Sequence, residues 1–300
     1  MRILLTGATG QLGTDLLPLL RQRGEVIAVG RAECDLSSTE SIRKLVAEVR
    51  PSVIVNPAAY TAVNDAESHS GRCYAINSAA PGTLAEEARK LDAILIHYST
   101  DYVFDGSKAG AYTEADAPAP LNVYGASKLA GERAIAAVGG RWLVLRTSWV
   151  YGANGNNFLL TMRRLARERE ELKIVDDQVG GPTSSIQLAR ATSRILQQCY
   201  FLAGAAFPSG VYHATAAGSV SWCGFARAIV AAFGEGEEFK VKQIAAISSD
   251  EYPTPSRRPL NSVLGNDKFE GAFGFRLESW QSGLAEVVRE IRSRESQAVK

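Results

Sequence analysis

The sequence predicts an α/β fold, a doubly wound parallel sheet followed by a smaller C-terminal lobe, and three observations carry that prediction. Short apolar runs alternate with longer amphipathic segments through the first half of the chain, the order expected of strands joined by right-handed helical crossovers. The runs are β-branched or leucine-rich and lack polar alternation, as strands covered on both faces require. After about Gly152 this rhythm loosens, and a proline-rich loop, "YPTPSRRPLN", follows at residues 252–261.

Taken in order, Ile3–Leu5, Val26–Val29, Val53–Val55, Ile94–Ile96 and Leu143–Leu145 read as strands. Leu12–Gln22, Glu40–Val49, Ala79–Lys90 and Ser127–Ala137 read as the helices between them. Residues 1–152 are thus expected to form the first domain and 153–300 mainly the smaller lobe, with some of its helices and strands returning to the first. In that second part Phe158–Glu168, Ile186–Cys199, Phe225–Phe233 and Trp280–Arg292 look helical, and Val211–His213 looks like a short strand. The final "RESQAVK" reads as a frayed end. In open sheets of this kind ligands bind beside the carboxyl ends of the strands.

Composition narrows the class. The 300 residues suffice for a full core, and 46% hydrophobic with 22% charged residues is ordinary for a soluble protein. Thirty-three Lys plus Arg against 32 Asp plus Glu leave a formal charge of +1, so no global field recruits nucleic acid or an anionic membrane. Cys34, Cys73, Cys199 and Cys223 show no CxxC spacing, which suits reduced thiols in the cytoplasm better than disulfides or zinc. No stretch reads as a signal peptide or a membrane span.

Two motifs carry chemistry. "LLTGATGQLG" sets Gly7, Gly10 and Gly13 directly after the first strand, with Gln11 and Leu12 opening the first helix. Glycine there permits a tight turn and the close approach of a pyrophosphate, whose charge the free N–H groups of the helix start can meet. A plain strand-to-helix turn would use the same residues, but the order strand, loop, helix, strand points to a dinucleotide. In "NVYGASKLAGE", Tyr124 and Lys128 lie four apart on one helical face; such pairs commonly do no more than pack the lysine stem on the ring.

The glycine spacing together with Tyr124, Gly125, Ser127 and Lys128 resembles the extended short-chain dehydrogenases, whose fold is of the Rossmann type. The segments "NPAAYTAVNDAE", "HYSTDYVFDG", "LNVYGASKLAGE", "RTSWVYGANGNNF", "DDQVGGPT" and "YPTPSRRPLNS" stand in an order and spacing similar to the dTDP-4-dehydrorhamnose reductase family over nearly the whole chain. The resemblance implies NAD(P)H-dependent reduction of the 4-keto group of dTDP-6-deoxy-L-lyxo-4-hexulose to dTDP-L-rhamnose, with residues 153–300 as a substrate-binding lobe. It implies Tyr124 as general acid, Lys128 as its partner and ligand of the nicotinamide ribose, and Thr100 as ligand of the carbonyl oxygen. A lysine cation about 4 Å from the phenol, at an effective dielectric of about 20, would lower its pKa by about three units toward neutrality.

The same resemblance places Ala58, Ala59 and Tyr60 beside the cofactor after the third strand, and Asp35 and Leu36 beside its adenine. Asp101 belongs to the substrate edge, with Tyr102 and Phe104 lining it. Trp149 is expected as a wall of the sugar site, a place a core aromatic could equally take. Asn157, Arg257, Arg258 and Asn261 are further nucleotide-sugar candidates.

Two departures from the family pattern bear on the cofactor. Many members carry an acidic residue at the end of the second strand, where this chain has Gly30 and Arg31; position 60 is tyrosine where others can carry histidine. Without the carboxylate a 2′-phosphate is not repelled, and Arg31 can pair with it. NADPH is therefore the expected cofactor, with NADH as the second choice. His69, His97 and His213 have no ligand spacing and read as structural. Some relatives use magnesium at a dimer contact; no carboxylate cluster in this chain demands it, so no metal site is assigned and magnesium is not excluded. The expected partner is a small nucleotide sugar, the assembly a monomer or homodimer.

Two rival readings share the fold. A nucleotide-sugar dehydratase or epimerase is one, but the dehydratase pattern places Asp and Glu after the threonine, where this chain has Asp101 and Tyr102. A non-catalytic NADP-binding regulatory subunit is the other, and fold alone does not separate it from a reductase.

Overall fold

The structure is a computed structural model that describes residues 1–202, 206–234 and 236–298. Its frame is a six-stranded parallel sheet with helices on both faces. In chain order the first part runs β1 (Arg2–Leu5), α1 (Gln11–Arg21), β2 (Glu25–Ala28), α2 (Thr39–Val49), β3 (Val53–Asn56), α3 (Val63–Ala66), α4 (Ser70–Tyr74), α5 (Ala80–Lys90), β4 (Ile94–Thr100), α6 (Val123–Val138) and β5 (Arg141–Thr147). The second part adds β6 (Val150–Tyr151), α7 (Phe158–Glu168), β7 (Glu171–Val175), β8 (Val179–Gly180), β9 (Thr183–Ser184), α8 (Ser185–Cys199), β10 (Gly210–His213), β11 (Val220–Ser221), α9 (Trp222–Gly234), β12 (Gln243–Ile247), α10 (Asp267–Phe273) and α11 (Trp280–Ala298).

The main sheet has the order β10-β5-β4-β3-β1-β2, and each neighbouring pair is parallel. Alternate residues of each strand feed two separate cores. Ile3, Leu5, Val55 and Ile96 pack with Leu16 and Leu20 of α1, Leu188 and Ile195 of α8 and Phe269 of α10. Leu4, Ile54, Leu95 and Val144 face Ile42 and Val46 of α2, Leu84 of α5 and Ile135 of α6. Burying each such side chain contributes about 1.5–3 kcal/mol, so both faces of the apolar strands are used.

The chain crosses back over residue 152 repeatedly: β10 pairs with β5, and α8 packs on α1. What stands apart is a third core in which Leu159 and Met162 of α7 meet Phe225, Ile229 and Phe233 of α9 and Leu284, Val287 and Ile291 of α11. Three two-stranded pairs edge this lobe: β12 with β7 and β6 with β9 in parallel, β11 with β8 antiparallel.

Several expectations need correction. Helix α6 opens at Val123, four residues before Ser127, because the Asn122 side chain caps it by accepting from Gly125 N at 2.8 Å. Residues 63–78, to which the pattern assigns no helix, fold as α3, α4 and most of a π-turn, Ala75–Ala79, that runs into α5. The C-terminus does not fray at Arg294: α11 continues to Ala298, where Glu295 pairs with Arg163 and Arg294 with Glu290. The two residues beyond, 299–300, lie outside the described set.

Candidate active site

Every strand of the main sheet points its carboxyl end toward one side, and there a cavity of about 740 Å³ lies between the sheet and the second lobe. One end is built by β1 and α1. Gly7 has a φ of +56°, and a Cβ on Gly13 would lie 2.1 Å from the Gly7 carbonyl oxygen, so only glycine lets the helix start this close to the loop. Gly10 caps α1 without any side-chain hydrogen bond, which leaves the helix N-terminus free for an anion. Gln11, Leu12, Asp35, Leu36, Ala58 and Ala59 line the same end, with Arg31 beside them. A second guanidinium, Arg72 of α4, lines it too and acts with Arg31 to hold the Asp35 carboxyl low, after the larger effect of hydrogen bonds from Ser37. Arg72 carries no sequence signal, because α4 reaches the cavity only through the fold.

The end of β2 also differs in detail from the expectation drawn at Gly30. The Gly30 N–H donates to Glu33 Oε2 at 2.8 Å. A carboxylate thus sits near this strand end after all, supplied three residues later.

The other end of the cavity carries Thr100, Asp101, Tyr102, Tyr124, Lys128, Trp149 and Arg258. Helix α6 lies so close to the turn after β4 that a Cβ on Gly125 would meet the Tyr102 carbonyl oxygen at 2.1 Å. That approach sets Tyr124 beside Thr100, whose hydroxyl pulls against the upward shift of the phenol. Thr100 in turn donates to Asp101 Oδ1 at 3.0 Å and accepts from Tyr102 N at 3.2 Å. Asp101, 2% exposed, also accepts from Ser148 at 2.9 Å. Burial pushes its pKa up to about 6 against the pull of hydroxyls from Ser262, Ser148 and Thr100.

The lysine does not do what the spacing suggests. Lys128 is 2% exposed, and its ammonium is aimed at β4, donating to the Tyr98 carbonyl at 2.5 Å and meeting His97 Nε2 at 3.1 Å. Burial pushes its pKa down to about 8, against the opposing influence of Glu132 and Cys73. The Tyr124 phenol is not drawn toward neutrality: burial pushes it above its ordinary value, and Asp101 adds to that shift. At neutral pH the phenol keeps its proton.

Other expected residues are placed elsewhere. Asn157 spends its side chain on capping α7 through Leu160 N and on donating to Gln11 Oε1 and to the Gly152 and Asn154 carbonyls. Asn261 donates to the carbonyls of Lys108 and Gly110 and so secures a loop. Tyr60 is held by its backbone, with its N–H and carbonyl both bound to the Asn77 amide of the π-turn, and its side chain does not line the cavity. Arg257 contributes its carbonyl to Asn122, and Phe104 is buried against Tyr112 with ring centroids 4.2 Å apart. Neither forms the cavity wall.

Arg258 and Trp149 do. The Arg258 Nε is buried without a hydrogen-bond partner, as is the Thr147 hydroxyl, and both residues line the cavity. Thr147 stands opposite Thr100 in the β4–β5 register. Trp149, with φ +46°, stacks on Trp222 at a centroid distance of 3.5 Å and 5° between planes. Trp222, 73 residues further on, has no local signal that would have marked it. Among the described residues, no group of three His, Cys, Asp or Glu could hold a metal ion, and no helix is long and apolar enough to cross a membrane.

A parallel sheet with a glycine loop at its first helix, and a Tyr/Lys helix laid against a strand-end threonine, defines the extended short-chain dehydrogenases and reductases. Comparison narrows this. The family described as "RmlD substrate binding domain" matches residues 1–293. A dTDP-4-dehydrorhamnose reductase of Burkholderia thailandensis is 46% identical over 297 residues, 98% of this chain and 100% of that protein. That of Escherichia coli K12 is 40% identical over 97% of this chain and 98% of its own. The crystal structure of the Bacillus anthracis dTDP-4-dehydrorhamnose reductase in complex with NADP superposes with a TM-score of 0.89 at 33% identity, covering 96% of this chain and 99% of that one. A UDP-glucose 4-epimerase of Thermotoga maritima, at 19% identity and a TM-score of 0.79, shares the fold. The chain belongs to the dTDP-4-dehydrorhamnose reductase family, a family of oxidoreductases.

Proposed function

We propose that this protein reduces the 4-keto group of dTDP-4-dehydro-6-deoxy-L-mannose to give dTDP-L-rhamnose, with NADPH preferred over NADH and Tyr124 as general acid. The observation that carries the reading is one cavity with a dinucleotide cradle at one end and a neutral phenol beside a threonine at the other. The residues fit the cofactor: the uncapped helix start suits the pyrophosphate, and Arg31 and Arg72 flank the end where a 2′-phosphate would lie. Bound there, the reduced nicotinamide supplies the hydride.

The chain supplies the rest. As the keto oxygen gains charge, a donor already carrying its proton lowers the barrier. Tyr124 is such a donor because burial keeps its hydroxyl protonated. Thr100 has one proton, committed to Asp101, so it turns its hydroxyl to the keto oxygen only when Asp101 yields it. Arg258, with its unpartnered Nε, is the cation for the substrate diphosphate, and Trp149 is the sugar wall. The unpaired Thr147 hydroxyl beside Thr100 adds a further hydrogen bond to a ligand in the cavity.

The test is direct. Incubated with the 4-keto sugar nucleotide, the protein should consume NADPH and form dTDP-L-rhamnose. NADPH binding without turnover would instead leave a non-catalytic nucleotide-binding role.

A further inference from the structure

Lys128, the expected partner of Tyr124, lines the cavity, and its ammonium is held from behind. Behind its ammonium runs a file of buried polar side chains, none more than 2% exposed: His97 on β4, Asn56 on β3 and Thr6 just past β1. His97 Nε2 lies 3.1 Å from Lys128 Nζ, His97 Nδ1 lies 3.0 Å from the Asn56 amide nitrogen, and Asn56 Oδ1 lies 2.5 Å from Thr6 Oγ1.

Proton counting sets the possible states. An ammonium has three protons and no lone pair, so it can only donate. If the lysine is charged, His97 Nε2 must accept and the imidazole proton sits on Nδ1. The Asn56 amide must then be turned over from the placement above, with its oxygen to Nδ1 and its nitrogen donating to Thr6. If the lysine is a free amine, the imidazole can donate from Nε2, and Nδ1 accepts from the amide nitrogen. The file therefore has two registers, one for each protonation state of Lys128.

The other charged groups around the lysine do not replace this contact. Glu132 lies one turn further along α6, but its carboxylate is engaged by Arg146 at 2.9 and 2.7 Å and by Ser99. Cys73 of α4 contacts Ser127. The His97 ring itself stays uncharged, because burial and the neighbouring ammonium both push its pKa down.

We propose that His97 is a positioning residue for Lys128: a neutral imidazole, fixed by Asn56 and Thr6, that accepts one ammonium hydrogen while the Tyr98 carbonyl takes the second, leaving the third for the cavity. The sequence hides this, because His97 and Lys128 are 31 residues apart and meet only through packing of α6 on β4. The proposal rests on the reading that Lys128 serves the reduction.

The experiment has two arms. In the first, protein labelled with ¹⁵N-histidine is titrated by NMR. The chain has three histidines, and the His97 signals are those lost in His97→Gln. At pH 7 His97 should be neutral with a bare Nε2, and its ring shifts should step near pH 8 as Lys128 titrates. Lys128→Met should abolish the step. In the second arm, His97→Gln keeps an acceptor and should retain native turnover within about threefold, whereas His97→Leu should lose about ten- to a hundredfold in kcat through a misplaced lysine. Its alkaline limb should also move to lower pH, and the dissociation constant for NADPH should rise.

A protonated Nε2 at pH 7 with no step near pH 8 overturns the proposal even if the leucine variant does not fold. So does a folded His97→Leu with native turnover and pH profile. Failure of the native chain to reduce the keto sugar would sink the reductase reading while leaving the NMR result standing.

Discussion

Asp101 is a carboxylate under three hydroxyls, and burial still lifts its pKa to about 6. A carboxyl whose folded pKa lies above its unfolded value costs nothing below the unfolded value near 3.9 and the full amount above the folded one. Asp101→Asn should accordingly stabilise the protein at pH 7 by roughly 1–3 kcal/mol. That gain should vanish as pH falls from about 6 to about 4. Urea denaturation of both chains at the two pH values checks this; a gain that persists at pH 4 assigns the effect to something other than ionisation. Tyr124→Phe should bind NADPH almost normally yet lose roughly two to four decades of turnover, and a variant with native turnover would remove the phenol from proton transfer. Both residues lie in local motifs, which is why the sequence singles them out, and both line the cavity. Asn157 and Asn261 looked equally suited to a ligand, but their amides are consumed by carbonyls of this chain. No pattern within a few residues distinguishes an amide spent on backbone from one left free.

Helix α6 is the element that makes the site, and its start depends on one side chain. Asn122 accepts from Gly125 N and donates to the Arg257 carbonyl, joining α6 to the loop that carries Arg258. Replacing such a cap by alanine costs about 1 kcal/mol, so Asn122→Ala should lower stability by about that much and weaken nucleotide-sugar binding as well. Thermal melts with binding isotherms separate the two effects. The segment after β2 bears on cofactor choice: Arg31→Ala should reduce the NADPH-over-NADH ratio of kcat/KM, since an exposed Arg–phosphate hydrogen bond contributes about 1.5–3 kcal/mol. The change should shrink with added salt. An unchanged ratio would point to Arg72 or Glu33 in its place. Strands with continuous apolar runs and helices with apolar spacing were legible at this scale, within a few residues. The short strands β6 to β9, β11 and β12 and the seven-residue α10 were not, because elements this short exist only through their partners.

At the scale of the whole molecule, the cavity belongs to both parts of the chain. The sheet contributes the glycine loop, Thr100 and Trp149, while α9 contributes Trp222 and the proline-rich loop Arg258. Trp149→Ala should therefore weaken sugar-nucleotide binding and leave NADPH binding intact, as read by calorimetry with each ligand alone. Loss of cooperative unfolding or of cofactor affinity would make Trp149 a core residue instead. That a second lobe would face the strand ends was foreseeable from the order of elements. Which of its residues would reach the cavity was not, because α9 lies more than 70 residues beyond Trp149 in the chain.

Two indoles in face-to-face contact also have an optical consequence. Trp149 and Trp222 are two of the protein's four tryptophans, and at 3.5 Å their transition dipoles must couple. The unliganded protein should show a pair of circular-dichroism bands of opposite sign in the indole region, and either Trp149→Phe or Trp222→Phe should erase both. A sugar that slides against Trp149 alters the coupling, so the amplitude of that couplet would follow occupancy of the site without any added dye.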